Sequence, residues 1–319
     1  MHTDRARRLR ILTWHVHGNY LYYLTHVPHD FYIVTRRGNP PGYAGKIGQL
    51  PWPDNVHEVT ETAVRDGQFD CILFQSRQHY LEDRQSALSA AQRALPTIFL
   101  EHDPPQQHPT DTKHFVQDAN TLLVHVTHFN ALMWDNGITP VDVVEHGVVV
   151  PHDVRYSGEL ERGIVVVNNM GRRGRRLGAD VFMRLRASVP LDLAGMNAQD
   201  MNGVGEIGNL ELAAFSARYR FFFNPIRYTS LGLAILEAMM IGMPIVGLAT
   251  TELVSVIRNG ENGYLSNRLP ELADVMHRLI ADPAMAKAWG EGARRVALKR
   301  FNIDRFVSDW LRVFARVTE

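Results

Sequence analysis

The chain has 319 residues, enough for two ordinary α/β domains that each bury a core of their own. Apolar residues make up 45% and charged residues 21%, a composition of soluble globular proteins that excludes disordered, collagen-like and membrane-embedded chains. Formal net charge is zero, yet residues 1–150 carry 12 Lys/Arg against 16 Asp/Glu and residues 151–319 carry 22 against 18; the mildly basic second half suits an anionic ligand, and no nucleic-acid partner is expected.

The chain starts MHTDRARRLR, basic but with no apolar stretch behind it, so no signal peptide is expected and a cytoplasmic location is. Short apolar runs predict strands at 10–14, 31–35, 71–75, 97–101, 121–124 and 142–145, with helical patterns at 80–94 and 127–136 between them. That alternation predicts a parallel sheet with crossover helices. Cys71, the one cysteine, lies in the apolar run 69–74, which rules out a disulfide framework and fits a reducing compartment. Residues 37–56 are rich in Gly and Pro and read as a long loop suited to substrate contact.

Residues 148–162 break the pattern and read as a linker. A second series of strands follows at 163–167, 191–194, 221–224 and 245–248, and after Leu265 the pattern is helical throughout, over 271–281, 283–300 and 304–317. Residues 231–249 are as long and apolar as a membrane span. Glu237, Gly242, Pro244 and Gly247 fit a buried helix followed by a buried strand instead, so no transmembrane segment is expected.

Two segments of the second half carry candidate chemistry. In the first, Ser230 is a suitable N-cap for a helix over 231–241 that Gly242 stops. The preceding residues 224–229 form a loop at the carboxyl end of a strand, where open parallel sheets bind ligands. A helix N-terminus there offers free N–H groups and partial positive charge to an anion, and Gly232 would let a phosphate approach the backbone. Glu237 lies two turns along among Leu236, Met239 and Met240, and a carboxylate so placed needs a partner. Two partners fit equally, an arginine such as Arg227 or the hydroxyls of a sugar or ribose. The second segment is Gly171-Arg172-Arg173-Gly174-Arg175-Arg176, set in a strand-to-helix turn. Its guanidinium groups suit a diphosphate, though a solvated basic turn has the same composition. It is neither a Walker A loop nor the dinucleotide fingerprint.

In the first half, His15-Val16-His17-Gly18-Asn19 follows the first strand, and Gly18 would allow close backbone approach to a phosphate. The run Leu100-Glu101-His102-Asp103-Pro104-Pro105 ends another strand, and His79 and His125 take similar strand-end positions. With no H-E-x-x-H, no cysteine partner and no Asp-x-Asp, neither a metal nor any other cofactor is expected.

Residues 224–267 resemble the C-terminal motif of the family-4 retaining glycosyltransferases, PS-x-x-EGFG-x-x-x-LEA-x-x-x-G-x-P-V-V followed by a turn ending N-G-x-L. Pro225, Gly232, Leu236, Glu237, Ala238, Gly242, Pro244 and Val246 fall in register, as does Asn259-Gly260-Glu261-Asn262-Gly263-Tyr264-Leu265. His146-Gly147-Val148 stands where members have Asn-Gly-Val. The resemblance implies a GT-B fold: two Rossmann-like α/β domains facing across a cleft, with C-terminal helices. It implies an acceptor-side domain at 1–150, a linker at 151–162, a nucleotide-sugar-binding domain at 163–300 and a terminal helix at 301–319 that crosses back to the first domain. Arg172, Arg173 or Arg176 would then hold the diphosphate, Ser230, Leu231 and Gly232 the distal phosphate, and Glu237 the ribose hydroxyls. Gly18 and Asn19 would close over the diphosphate from the first domain, and His102 would be the catalytic group facing sugar and acceptor.

The family's E-x7-E pair would place its first glutamate, the group that contacts the donor sugar, at Thr229. Ile226 replaces the serine of the family's proline-serine, Thr251-Glu252 a glycine pair and Ser255 a glutamate. The activity implied is retaining hexosyl transfer from a UDP- or GDP-sugar to a saccharide or lipid-linked acceptor, with peripheral membrane association open. Thr229 keeps one alternative in view, a non-catalytic nucleotide-sugar or glycan-binding protein; a GT-B sugar-nucleotide epimerase is a further alternative, against which the family-4-like motif and the missing acidic residue count.

Overall fold

The computed structural model describes residues 7–16, 18–47 and 49–319. Residues 1–6 of the basic start, His17 of the motif after the first strand and Gly48 of the long loop lie outside the described residues. The chain divides into two compact units, one made of the described residues up to Gly147 together with Ile303–Glu319, the other of Val148–Asn302.

The first unit is built on seven parallel strands in the order β3-β2-β1-β4-β5-β6-β7: β1 Arg10–Thr13, β2 Asp30–Thr35, β3 Val56–Thr60, β4 Cys71–Phe74, β5 Thr97–Glu101, β6 Thr121–His125 and β7 Val141–Val143. All four residues of β4 are buried, as a central parallel strand covered on both faces requires. The core on one face gathers Leu12, Trp14, Val34, Phe74, Phe99 and Leu123. Strand β3 was not expected: of its sequence, VHEVT, only Val56 is buried, as suits a sheet edge, and it follows directly on the Gly/Pro-rich loop. Among the described residues the connections include α1 Gly18–Leu24, α2 Arg84–Ser86, α3 Ala90–Arg93 and α4 His128–Met133.

The helix expected over 80–94 is not continuous. A π-turn at His79–Asp83 runs into α2, and α3 starts afresh because Ser89 and Gln92 form a capping box. Ser89 accepts from the Gln92 N–H while the Gln92 side chain accepts from the Ser89 N–H, a reciprocal pair that begins a helix rather than continuing one.

The second unit has five parallel strands in the order β12-β11-β10-β8-β9: β8 Leu160–Val166, β9 Leu191–Ala194, β10 Tyr219–Asn224, β11 Ile245–Gly247 and β12 Gly263–Leu265. The last of these falls within the turn read as ending N-G-x-L. Its helices are α5 Met170–Arg173, α6 Ala179–Arg186, α7 Asn209–Ser216, α8 Leu233–Ile241, α9 Leu269–Ala281 and α10 Pro283–Arg300. Every residue of β10 is buried, Arg220 included. Its guanidinium donates to the carbonyls of Leu279 and Ile280 at the end of α9 and to Gly158, so a cation closes carbonyls that the helix leaves unpaired. The apolar stretch 231–249 resolves into α8, a stop at Gly242 in left-handed conformation (φ 102°), and β11. Among the described residues no helix is long and apolar enough to cross a membrane.

The last helix, α11 Ile303–Thr318, belongs to the first unit. Phe306, Trp310, Val313 and Phe314 form its buried stripe, which rests against Tyr20, His29 and Phe31. Arg305 donates to the carbonyls of Glu145 and His146.

Candidate functional site

In the second unit the strand order reverses between β8 and β10, which lie side by side. At such a switch point the loops leaving two neighbouring strands diverge and open a crevice at their carboxyl ends. The loops here are the arginine turn after β8 and residues 225–232 after β10.

The chain stays extended through Gly232 (φ −74°, ψ 141°), and α8 starts at Leu233, two residues later than expected. Leu231 is buried, which keeps its backbone from winding outward into a first turn. Ser230 is therefore not the N-cap; its Oγ is shielded from solvent and has no hydrogen-bond partner among the described residues. Gly232 takes that position, with no side-chain capping bond among the described residues. A Cβ built on Gly232 would meet nothing within 4 Å. The first turn of α8 holds no acidic residue to neutralise its N–H groups. Thr229 lies half-buried just before them.

The arginine turn is folded against this loop. Gly178 closes the turn in left-handed conformation (φ 81°), and a Cβ there would fall 2.0 Å from the Pro225 carbonyl oxygen, so only glycine permits the approach. The Arg176 carbonyl accepts from the N–H groups of Arg227 (3.0 Å) and Tyr228 (3.3 Å). The Arg227 guanidinium donates to the Arg175 carbonyl (2.6 Å) and forks onto both oxygens of Asp180 at 2.6 and 2.8 Å. That hydrogen bond holds the Asp180 carboxyl below its ordinary range. Arg175 shares the same carboxylate at 2.6 Å. Arg172 is 70% exposed with Asp200 at 4.0 Å, Arg173 is exposed, and Arg176 is half-buried.

Arg227, one of the arginines considered for Glu237, pairs with Asp180. Glu237 lines a small recess with Val166 of β8 and with Leu212, Ala213 and Ser216 of α7. A third loop joins the crevice through Thr250, whose hydroxyl donates to the Ile226 carbonyl (2.9 Å). Thr251 next to it holds φ 51°, left-handed geometry at a position where the resembling family has glycine. Glu252 is buried and accepts from Ser255 Oγ (2.5 Å) and Arg300 (3.2 Å).

In the first unit the order reverses between β1 and β4. His15 follows β1, and its ring nitrogens face the carbonyls of Gly18 (3.0 Å) and Gly45 (2.8 Å), tying the start of α1 to the long loop. Gly18 is exposed with φ 27°, and Asn19 is half-buried behind it. His102 follows β5, with Nε2 3.1 Å from Gln75 Oε1 and its ring edge-on to Tyr20 at 4.8 Å. Gly18, Asn19, Gln75 and His102 therefore sit at the carboxyl ends of the three central strands. His79 and His125 are buried, and burial pushes both rings down to about 4, assisted at His79 by the Arg36 charge. His79 stacks on Trp14, and His125 donates to Asn136 Oδ1 at 2.8 Å. Cys71 is buried in β4, which pushes its thiol up.

Three residues of these crevices went unnoticed in the sequence: Gln75, Asp180 and Arg227 as a brace. Gln75 had a usable signal, a polar residue closing an apolar strand. Asp180 had none, since an acid in the first turn of a helix is ordinary.

Residues 164–282 match the family model described as "Glycosyl transferases group 1". The second unit is a group 1 glycosyl transferase domain. The chain is similar to part of the N-acetyl-alpha-D-glucosaminyl L-malate synthase of Bacillus anthracis, 31% identical over 87 residues, or 27% of this chain and 23% of that protein. The alpha-D-kanosaminyltransferase of Streptomyces kanamyceticus is 31% identical over 81 residues, 25% of this chain and 21% of its own. The chain thus matches about a quarter or less of the length of these curated relatives. Among solved structures, a sucrose-phosphate synthase from Thermosynechococcus elongatus superposes with a TM-score of 0.68 at 15% identity, covering 97% of this chain and 99% of that one. Anabaena HepE in complex with UDP gives 0.68 at 14% identity, covering 97% and 100%. At these identities the likeness establishes the fold, GT-B, for the chain that carries the glycosyl transferase domain.

Proposed function

We propose that this chain is a retaining glycosyltransferase that takes a UDP- or GDP-sugar through its glycosyl transferase domain and passes the sugar to a saccharide or lipid-linked acceptor. The observation that carries this is the uncapped N-terminus of α8 at the open Gly232, with the arginine turn braced beside it by Arg227 and Asp180. Backbone N–H groups and guanidiniums so placed suit a diphosphate. Glu237 supplies a carboxylate for the ribose hydroxyls, Ser230, Leu231 and Gly232 receive the distal phosphate, and Arg172, Arg173 or Arg176 the diphosphate.

In the step proposed, the acceptor hydroxyl attacks the anomeric carbon as its bond to the diphosphate oxygen breaks on the same face. The hydroxyl proton passes to that departing oxygen, so the products are the glycoside and the nucleoside diphosphate. Fixed positive groups around the leaving diphosphate stabilise the charge as it develops, and no protein carboxylate need act as nucleophile. His102 is the proposed catalytic group, and Gly18 and Asn19 are proposed to contact the diphosphate.

Because one structural neighbour was solved with UDP and with UDP-glucose, uridine donors come first in a thermal-shift panel that also holds GDP-, ADP- and CMP-sugars. Glu237→Ala should weaken the nucleotide-sugar that binds by roughly tenfold or more, read by calorimetry. Unchanged affinity would reject the ribose assignment. Thr229, where the family has glutamate, favours a second reading, a nucleotide-sugar-binding protein without turnover. Transfer or donor hydrolysis by the purified chain would exclude it.

A further inference from the structure

We propose that Gln75 is a positioning residue for His102, fixing its imidazole as the Nε2–H tautomer. The proposal rests on His102 being the catalytic group, but the geometry behind it stands independently. Gln75 closes β4 at the switch point and is 3% exposed. Its amide nitrogen lies 2.9 Å from the Trp14 carbonyl and 3.2 Å from Thr13 Oγ1 on neighbouring β1. A backbone carbonyl only accepts, so the amide nitrogen must face it, and the amide oxygen is turned toward β5. There it meets His102 Nε2 at 3.1 Å. An amide oxygen also only accepts, hence Nε2 carries hydrogen.

The chain of donors starts at the imidazole, passes through Gln75 and ends on the Trp14 carbonyl just after β1. It acts as a carbonyl or carboxylate does on a metal-bound or catalytic histidine, choosing the tautomer through the nitrogen opposite the working one. The ring is held from other sides too. Asn130 on α4 donates to the His102 carbonyl at 3.1 Å. Tyr20 sets its ring edge-on to the imidazole, and the Tyr20 hydroxyl accepts from Trp310 Nε1 at 3.2 Å.

The test is nitrogen NMR of the full chain with labelled histidine at pH 8, the His102 signals being assigned by their loss in His102→Gln. Wild type should show hydrogen on Nε2 and a lone pair on Nδ1. Gln75→Met, close in volume, should lose that one-sided pattern and populate both tautomers. Hydrogen on Nδ1 in wild type overturns the proposal, as does an unaltered pattern in Gln75→Met. Should Gln75→Met fail to fold, the wild-type tautomer decides alone. Full turnover by His102→Ala would instead reject the catalytic role of His102 and leave the tautomer result standing, so the two failures are told apart.

Discussion

Thr251 holds a β-branched side chain in left-handed backbone, a conformation that such residues rarely adopt and that costs on the order of 1–3 kcal/mol. Glycine would relieve it and give back part of the gain, about 0.4–1 kcal/mol, through the freer unfolded chain. Thr251→Gly should therefore raise the melting temperature, corresponding to roughly 1 kcal/mol; a fall would mean that contacts of the threonine outweigh its backbone strain. Where a residue's placement depends on spacing along one helix, as for Glu237 within α8, the sequence located it. Where it depends on which acid an arginine meets, spacing was silent. Arg227 lies 10 residues from Glu237 and 47 from Asp180, yet the fold delivers it to the distant one. Ser230 looked like a helix cap by residue type, and only burial of Leu231 reveals that the helix starts beyond it.

Strands and helices were legible wherever an apolar run was long and buried on both faces, as in β4, β5, β9 and β10. They were hidden where pairing rather than apolarity defines the element, as for β3 at an edge of the seven-stranded sheet and the three-residue β12 at an edge of the five-stranded one. The break between α2 and α3 was missed because Ser89 and Gln92 signal a start only when read together. The elements that matter most for the crevice are two loops, joined by the fork of Arg227 on Asp180. Lysine keeps the charge but cannot serve both carboxylate oxygens and the Arg175 carbonyl at once. Arg227→Lys should loosen the arginine turn and weaken nucleotide affinity several-fold by calorimetry. Thermal stability should fall by less than about 1 kcal/mol, since the pair is partly exposed. Asp180→Asn should reproduce the effect, and the double variant should add little to either single one. Independent, additive losses would show that the fork is not what links the loops.

At the scale of the whole molecule, parallel α/β architecture followed from the alternation of patterns, and a helix over 304–317 was read where α11 lies, its buried stripe being Phe306, Trp310, Val313 and Phe314. Which core that stripe would join was not written in its spacing, because any apolar face of suitable shape could receive it. Acid stability is also a property of the whole fold. His79 and His125 take up a proton in the folded chain only near pH 4, whereas an unfolded histidine does so near 6.5. Between those values the unfolded state binds more protons, so stability falls as pH falls from about 6.5 toward 4. Melting temperature should be level above pH 7 and decline through this window, and His79→Phe, which keeps an aromatic ring on Trp14, should make the decline shallower. A decline unaffected by His79→Phe would place the acid sensitivity elsewhere.

One substitution separates anion binding at α8 from every structural role of the same backbone. Gly232 already has N-cap geometry with open space at its Cβ position, so Gly232→Asp can enter without strain. Aspartate there should cap the free N–H groups and raise stability by a few tenths of a kcal/mol. It also puts a carboxylate where the phosphate is proposed to sit. Calorimetric titration of wild type and Gly232→Asp with UDP and GDP should show binding of at least one nucleotide to wild type and a loss of a hundredfold or more, roughly 3 kcal/mol, in a variant that is no less stable. Equal affinity in the two proteins would mean that the end of α8 does not hold the diphosphate.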